Sequence, residues 1–308
     1  MNSIYQKTLS NSFSFKGVGL HSGLISNVKI TFAKENTGIT FKRTDIKENN
    51  LIKADFRNVS SAKLCTTLKN STNVAVSTIE HLMAAFYITG IDNAIVEIDR
   101  EEVPIMDGSS KDFIEFINKA GSENLSAKRK FVKINKKISL THQQKVISIE
   151  PSDFSLEVDF ELSYKTTAIK NQKNKINFYS QNLKDLYSSR TFCLYEDIEK
   201  IKKAGLAKGG SLDNAIVIKD DKVMNKEGLR NENEFVNHKI LDLAGDFMLS
   251  GYRIFGSVKC FHGGHQLSNA FLKEVFKDKS NFEVTTFDNE LKILTNINTT
   301  DNKIAVNA

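Results

Sequence analysis

The stretch Leu156-Glu157-Val158-Asp159-Phe160-Glu161-Leu162 alternates apolar and acidic residues without a break. A period of two is typical of a β-strand that buries one face, so this stretch predicts such a strand. Helical patterns follow at about 194–204 and 234–249, and a last helix is expected from about 266. The second half of the chain therefore predicts an α+β unit with mostly antiparallel strands.

The first half has a similar order of elements. Alternation at 28–32 and a β-rich run at 94–98 predict strands. Between them, Ser77 and Glu80 have the spacing of a capping box, which predicts that a helix opens here. The residues that follow are mostly apolar, and Gly90 is placed like a C-terminal cap, so the helix is expected to end there.

A boundary between two units is expected at 121–126, where the residues are small and polar. A helix that follows Ser110 should close at Gly121, and strands begin again beyond the basic run at 128–130. The length of 308 residues also suits about two domains of ~150 residues each. The expected divisions are a first α+β domain at 1–125, a second at 126–295 and a polar tail at 296–308.

The composition excludes several classes of protein. Hydrophobic residues make up 40% of the chain and charged residues 26%, which are ordinary values for a globular protein. The longest run without a charged side chain is thirteen residues, at 260–272, whereas a membrane-spanning helix needs ~20 apolar residues. The amino end has no charged start followed by an apolar core, so no secretory signal is expected. Three scattered cysteines, Cys65, Cys193 and Cys260, favour a reducing cytoplasm.

The charge pattern bears on the partners of the protein. The net charge is +6, and only seven of the 43 basic residues are arginines. Nucleic-acid-binding proteins favour arginine and cluster their basic residues, whereas here acidic and basic residues are interspersed, so no nucleic-acid partner is expected. The lysines are interpreted as a solvated surface, with an anionic small molecule or an anionic membrane face as the alternatives.

Two groups of residues could bind a metal. His238, Asp242 and Asp246 are spaced by four, so on a helix they lie along one face, where His and Asp can bind zinc together. The alternative is an amphipathic helix whose polar stripe faces water. Glu80 and His81 are adjacent, so one can bind a metal while the other reaches a bound water. Capping by Glu80 and a structural role for His81 are the alternatives there.

Three further features bear on the possible chemistry. His265 follows two glycines, and its imidazole could act as an acid or a base, with a surface histidine on a glycine turn as the alternative. The glycine-rich segment 17–23 lacks the spacing and the lysine of a P-loop, so no nucleotide chemistry is expected there. Cys65 has no activating partner in the sequence and is interpreted as a buried, inert thiol.

Seven segments, in this order, bring the candidates together: GVGLHSG (17–23), STIEHLMAA (77–85), DNAIVEID (92–99), PIMDGSS (104–110), SRTF (189–192), HKILDLAGD (238–246) and GGHQLSN (263–269). With them the chain closely resembles, over about residues 4–290, the zinc-dependent UDP-3-O-acyl-N-acetylglucosamine deacetylases of lipid A biosynthesis in Gram-negative bacteria. The resemblance implies two similar two-layer α/β sandwich domains, packed face to face, with the active site between them. It also implies a hydrolase that removes the N-acetyl group of UDP-3-O-(3-hydroxyacyl)-N-acetylglucosamine and releases acetate, the committed step of that pathway.

The resemblance also assigns roles to residues. It implies one catalytic Zn²⁺ per chain, bound by His81, His238 and Asp242, with a fourth position left for water. It implies four catalytic residues: Glu80 (general base), His265 (general acid), Asp246 (which orients His265) and Thr191 (a hydrogen-bond donor to the oxyanion). The implied substrate contacts are Phe192, Lys239 toward the diphosphate, Leu64 and Cys65 near the metal, and the acyl-passage residues Ile198, Ala207, Gly210, Ser211, Leu212 and Val217.

Some positions depart from the family pattern, and a different class of function stays open. The segment 164–169 lacks an expected His-Pro pair, and His262 stands where an arginine or lysine is expected. The partner would be an acylated UDP-amino sugar, acted on by a monomeric cytoplasmic enzyme. The lipid substrate and the lysine excess predict peripheral, reversible contact with the inner face of the inner membrane. The alternative is a basic, non-enzymatic protein that contains zinc and binds RNA or another anionic partner.

Overall fold

The computed structural model describes residues 3–179 and 181–288. The elements of the first half are β1 (Tyr5–Leu9), β2 (Phe13–Val18), β3 (Ile25–Phe32), β4 (Ile39–Arg43), β5 (Leu51–Lys53), β6 (Val59–Ser61), β7 (Thr67–Lys69), β8 (Ala75–Val76), α1 (Glu80–Thr89), β9 (Ala94–Ile98), α2 (Lys111–Ala120) and β10 (Ser122–Lys128). Those of the second half are β11 (Phe131–Ile134), β12 (Ile138–His142), β13 (Lys145–Glu150), β14 (Leu156–Ser163), β15 (Asn171–Asn177), α3 (Lys184–Tyr187), β16 (Phe192–Leu194), α4 (Tyr195–Lys203), β17 (Ile216–Lys219), β18 (Lys222–Val223), α5 (Glu234–Met248), β19 (Arg253–Phe261), α6 (His265–Lys277) and β20 (Phe282–Thr285). Short 3₁₀ helices lie at Phe56–Asn58 and Lys279–Asn281.

Each half contains one main β-sheet. That of the first half has five strands in the order β2-β3-β9-β4-β5. That of the second half has seven strands, with β12-β13-β19-β11-β20 in one path and β14 and β15 joined to it through β19. Most strand pairs are antiparallel, as predicted, and the parallel pairs are β4–β9, β11–β19, β14–β19 and β16–β17.

Strand β14 has the predicted period of two. Leu156, Val158, Phe160 and Leu162 are buried, while the acidic residues between them are half-buried. The strand pairs in parallel with β19 and antiparallel with β15, and α5 packs on both β14 and β15. The alternating stretch therefore forms part of the sheet surface on which α5 packs.

Helices from the two halves face each other. Helix α1 packs on α2, α5 packs on α6, and α1 and α5 form an extensive contact. Gly245 of α5 permits this close approach, because a β-carbon at this position would overlap the main-chain oxygen of Glu80. The predicted α+β architecture of two packed units is confirmed, and the first turn of α1 lies directly against the middle of α5.

The predicted helices are confirmed, but the start of α1 is not a capping box. Helix α1 begins at Glu80 without a side-chain cap and ends at Gly90 in a left-handed conformation, with φ 78°. Ser77 donates its main-chain N–H to the carbonyl of Glu101 and forms an isolated bridge to the neighbouring strand-like segment. The capping-box prediction is wrong because this bridge holds Ser77 away from the helix end.

The predicted domain boundary falls within a paired strand. Residues 122–128 form β10, which pairs antiparallel with β1 from the amino end of the chain. The division into 1–125 and 126–295 stays a prediction, and the predicted tail at 296–308 lies outside the described residues. Within the described ranges, no helix combines the length and apolar character needed to span a bilayer.

Two buried arginines of the second half hold the C-terminal end of α1. Arg129 donates to the main-chain oxygen of Gly90 at 2.8 Å, and Arg253 donates to that of Tyr87 at 2.5 Å. Both also form ion pairs with Asp92, at 2.7 and 3.5 Å. Positive charge is favourable at a helix C-terminus, where the last carbonyls lack partners within the helix. The second half thus fixes α1 at the end opposite to Glu80.

Candidate active site

Side chains from three helices meet at one buried site. They are Glu80 and His81 at the start of α1, His238, Asp242 and Asp246 along α5, and His265 at the start of α6. The polar stripe of α5 is only 1–3% exposed, so the alternative of a helix whose stripe faces water is wrong. His265 is also buried, which excludes a surface histidine on a glycine turn.

Three of these residues form a candidate metal site. Oδ1 of Asp242 lies 3.5 Å from Nε2 of His81 and 3.4 Å from Nε2 of His238. One ligand atom of each residue lies within 4.8 Å of the other two. One carboxylate and two imidazoles that converge in this way are a donor set for tetrahedral zinc, with one position left for a further ligand.

The tautomer of His238 suits a metal ligand. Its Nδ1 lies 3.1 Å from the main-chain oxygen of Ser189, which can only accept, so Nδ1 carries the proton. The lone pair is therefore on Nε2, the atom that faces Asp242. Burial lowers the pKa of His238 to about 3, so the ring is neutral near pH 7. A carbonyl that orients a metal-binding imidazole is a common feature of zinc sites.

Asp242 offers an oxygen without a partner. Its Oδ1 is buried and accepts no hydrogen bond within residues 3–179 and 181–288, whereas Oδ2 accepts from Nζ of Lys239 at 2.8 Å. Burial opposes ionisation, but His238 and Lys239 hold the pKa of Asp242 well below its ordinary value. A buried, ionised oxygen is costly unless a cation or a donor binds it, so the residues present fit Zn²⁺.

Glu80 lies beside the candidate metal site. Its Oε2 accepts from the main-chain N–H of Thr66 at 3.0 Å, and its Oε1 lies 3.7 Å from Nε2 of His265. Burial raises the pKa of Glu80 above its ordinary value, although the charge of His265 counteracts this shift. A carboxylate whose pKa is moved toward neutrality is suited to act as a general base.

His265 and Asp246 form a hydrogen-bonded pair, in which Nδ1 of His265 lies 2.9 Å from Oδ2 of Asp246. Burial by itself would lower the pKa of His265, but Asp246, followed by Glu80, raises it to about 10. The imidazole therefore carries both protons near neutral pH. Its Nε2–H is directed toward Glu80 and the candidate metal site, where it could donate a proton.

Thr66 joins the acid and base candidates, and the sequence analysis did not identify it. Its main-chain N–H donates to Glu80, and its hydroxyl donates to Oδ1 of Asp246 at 2.8 Å. The only sequence signal is its position next to Cys65, which the resemblance puts near the metal. Ser189 was also missed, although it opens the SRTF segment.

The site opens into a cavity of about 730 Å³ between the two halves. Thr191 and Phe192 line this cavity together with Lys239, whose Nζ lies 5.6 Å from the centroid of the Phe192 ring. Leu64 also lines it, whereas Cys65 is not part of the described lining. Cys65 is half-buried, so the prediction of a buried thiol is wrong in that part. Burial of its surroundings, followed by the charge of Glu80, still raises the pKa of Cys65 to about 11, which fits the interpretation of an inert thiol.

A second cavity, of about 330 Å³, continues from the first. The two are joined through residues that line both: Leu20, Leu64, Thr191 and Phe192. Its walls include each residue that the resemblance assigns to an acyl passage: Ile198, Ala207, Gly210, Ser211, Leu212 and Val217. A narrow, largely apolar space that leads away from a polar site is suited to a hydrocarbon chain.

The larger cavity has an aromatic wall where the chain departs from the family pattern. Tyr164 lies between Phe192 and His262, with ring centroids 5.9 and 5.8 Å away. Nε2 of His262 accepts from the main-chain N–H of Ser163 at 3.0 Å, and burial lowers the pKa of this ring. His262 is therefore neutral near pH 7 and cannot replace the charge of an arginine or a lysine.

The chain is similar in sequence to a known protein family over most of its length. Residues 6–277 match the model of the UDP-3-O-acyl N-acetylglycosamine deacetylase family, LpxC. Proteins named UDP-3-O-acyl-N-acetylglucosamine deacetylase are similar to it: that of Aliivibrio fischeri is 39% identical over 290 residues (93% of this chain and 95% of the relative), and that of Idiomarina loihiensis is 39% identical over 290 residues (93% and 94%). That of Glaesserella parasuis is 38% identical over 293 residues (94% and 96%). These matches span both halves and every segment that contributes to the buried site, and on this basis the chain belongs to the UDP-3-O-acyl-N-acetylglucosamine deacetylase family.

Proposed function

We propose that this protein is a zinc-dependent amidohydrolase that removes the N-acetyl group of UDP-3-O-(3-hydroxyacyl)-N-acetylglucosamine. The products would be acetate and UDP-3-O-(3-hydroxyacyl)-glucosamine, in the committed step of lipid A biosynthesis. One observation carries the proposal: three candidate zinc ligands lie, buried, beside a carboxylate and a histidine–carboxylate pair. Membership of the family supports the choice of substrate.

The first step would be attack of water on the acetamide carbonyl. One zinc ion per chain, held by His81, His238 and Asp242, would supply Lewis-acid activation of the water and of the carbonyl. Glu80 would take the proton that the attacking water loses. Thr191 would donate a hydrogen bond to the oxyanion, and one such donor is typically worth ~3 kcal/mol of transition-state stabilisation.

The second step would be loss of the amine, which leaves only after protonation. His265 would donate its Nε2 proton to the leaving nitrogen, while Asp246 holds Nδ1 and stabilises the charged ring. The charges around the two groups favour this division of roles, because His265 begins protonated. Thr66 would hold the general base and the general acid in fixed relative positions, since it donates hydrogen bonds to Glu80 and to Asp246.

The two joined cavities would accommodate the two ends of the substrate. The acyl chain would enter the smaller, apolar cavity, and the sugar nucleotide would occupy the larger one beside Phe192. Lys239 would contact the diphosphate, and its bond to Asp242 would also orient that candidate ligand. Because His262 is neutral, Lys63 and Lys145 are the further cations of this wall that could face phosphate.

The alternative of a zinc-containing RNA-binding protein has no support in the family match. Structural zinc sites usually close with four protein ligands. The candidate ligand group found within the described part of the chain has three, with an acid and a base beside it. We therefore retain the enzymatic function as the proposal.

Acetate release tests the proposed function directly. The zinc-loaded protein is expected to release acetate from UDP-3-O-acyl-N-acetylglucosamine, and far more slowly from UDP-N-acetylglucosamine, which cannot fill the acyl passage. The measurement is acetate formed per chain, with zinc content determined in the same sample. Zinc-loaded protein that binds the acylated substrate without releasing acetate would contradict the proposal and favour a binding function.

Asp246→Asn is expected to move the basic limb of the pH–rate profile to lower pH. His265 must be protonated to act as the acid, so activity falls as pH rises through its folded pKa, which Asp246 does most to raise. Loss of this anion lowers the pKa of His265, whereas the acidic limb, set by Glu80 and the attacking water, should move less. The measurement is kcat/KM against pH, with zinc content checked. An unshifted basic limb at full zinc content would restrict Asp246 to positioning.

We further propose that the enzyme acts as a monomer in the cytoplasm, in peripheral and reversible contact with the inner face of the inner membrane. The lipid substrate, the lysine excess and two exposed apolar residues of the acyl passage, Tyr195 (43% exposed) and Leu212 (41%), support the membrane contact. Co-sedimentation with anionic vesicles is expected at low salt and should be lost near 1 M salt, where the screening length falls to about 3 Å. Binding that persists at high salt would contradict the electrostatic part of this proposal.

A further inference from the structure

The glycine-rich segment 17–23 has no part in the chemistry proposed above, yet it forms a wall of the acyl passage. Leu20 lines both cavities, and His21 lines the smaller one. The segment makes a compact turn, in which the N–H of Gly19 donates to the carbonyl of Leu24 at 2.8 Å. The position of this turn therefore decides where one side of the passage lies.

Glu102 holds the turn from the interior of the first half. This residue is only 3% exposed, and its carboxylate accepts from the main-chain N–H groups of His21 at 2.8 Å and Ser22 at 2.7 Å. Two successive N–H groups directed at one carboxylate form a nest for an anion. Loss of the carboxylate would leave two partly buried donors unpaired, which favours displacement of the turn.

A loop of the second half, 207–210, meets the turn from the other side. The N–H of Lys208 donates to the carbonyl of His21 at 3.2 Å, and that of Gly209 donates to the carbonyl of Leu20 at 3.1 Å. A β-carbon at Gly209 would overlap the main-chain oxygen of the turn, so only glycine permits this approach. Two loops from different halves thus close this part of the passage through main-chain contacts.

The same carboxylate reaches the segment that leads into the active site. The hydroxyl of Thr78 donates to Oε1 of Glu102 at 2.9 Å. Thr78 lines the larger cavity two residues before Glu80 and has a φ of 55°, in the left-handed region that non-glycine residues rarely adopt. Glu102 therefore contacts both the turn that lines the passage and the segment that leads into Glu80, the proposed general base.

We infer that Glu102 is a positioning residue for acyl-chain selectivity: it holds the 17–23 turn against the 207–210 loop and so sets the shape of the passage. The inference rests on the proposed function, because the passage is taken to bind the 3-O-acyl chain. The preference for a long chain then depends on a buried carboxylate that does not itself line the described cavities.

Glu102→Gln tests the inference. The amide has nearly the size of the carboxylate but presents N–H groups where an acceptor is needed, so one main-chain donor loses its partner. The ratio of kcat/KM for a 3-O-myristoyl substrate to that for a 3-O-butyryl substrate is expected to fall about tenfold or more, mainly through KM of the myristoyl substrate. Asp99→Asn is the matched control. Asp99 lies in the same segment as Glu102 and likewise accepts a hydrogen bond from a main-chain N–H, that of Asn27 at 2.8 Å, but this hydrogen bond is exposed. Its ratio should equal that of the wild type.

Gly209→Ala provides a second test from the opposite loop, and it leaves Glu102 in place. The added methyl group should push the loop from the turn and lower the same ratio. Equal losses on both substrates, or a wild-type ratio in both variants, would overturn the inference, since Glu102 would then serve the fold alone. Acetate release by the wild type from the myristoyl substrate is measured in parallel, and its absence would instead contradict the proposed function.

Discussion

His238→Ala is expected to lose tight zinc binding. The substitution removes one of three donors and leaves Asp242 and His81 with too few ligands to hold the ion. Loss of a partner that only orients a ligand typically costs 10–100-fold in metal affinity, so loss of a ligand itself should cost more than about 100-fold. Zinc per chain, measured by metal analysis after dialysis against a weak chelator, checks this expectation.

The control for this variant is His142→Ala. His142 lines the same cavity but is not part of the candidate ligand group, so its removal should leave zinc content at the wild-type level. Full zinc occupancy in His238→Ala would show that the ligand assignment is wrong. Zinc loss in both variants would point to a general disturbance of the cavity.

Glu80→Gln is expected to retain zinc and lose turnover by about 100-fold or more, the usual effect of removing a general base. The amide oxygen can still accept the hydrogen bond from Thr66, so the first turn of α1 should keep its position. It cannot take a proton from water, however, and the acidic limb of the pH–rate profile should shift, because only the attacking water would then set it. The measurement is kcat with zinc content determined in the same preparation.

Glu101→Gln is the control for Glu80→Gln, because Glu101 is exposed and lies outside the cavity lining. Its turnover should match that of the wild type. Near-normal turnover in Glu80→Gln at full zinc occupancy would mean that another group accepts the proton. Loss of zinc in that variant would instead mean that Glu80 supports the metal site.

Local patterns predicted much of the fold and one face of the site. The alternation at 156–162 predicts β14, and the helical patterns predict both ends of α4 and α5, and the start of α6, to within one or two residues. The spacing of four between His238, Asp242 and Asp246 is likewise local, because helical geometry alone puts them on one face. The spacing does not determine whether that face of the helix is exposed to water or buried against another helix.

Features that depend on contacts between distant segments were not predictable from local patterns. Thr66 bonds to Asp246 across 180 residues of sequence, and no motif marks it. The spacing of Ser77 and Glu80 fits a capping box, but a bridge from Ser77 to Glu102 holds Ser77 away from the start of the helix. In the sequence, Gly245 is an ordinary glycine within a predicted helix. Only the structure shows that the main-chain oxygen of Glu80 leaves no room for a β-carbon there.

The capping of α1 by arginines of the second half has a consequence for biosynthesis. Helix α1 has ten residues, and isolated helices shorter than ~12–15 residues are marginal in water. Arg253 leaves the ribosome about 160 residues after the end of α1, which at roughly 5–20 residues per second is a delay of roughly ten to thirty seconds. During that interval we expect the face of α1 that later packs on α5 to be uncovered and a target for chaperones. The general-base candidate would then reach its place only after Arg253 has been synthesised.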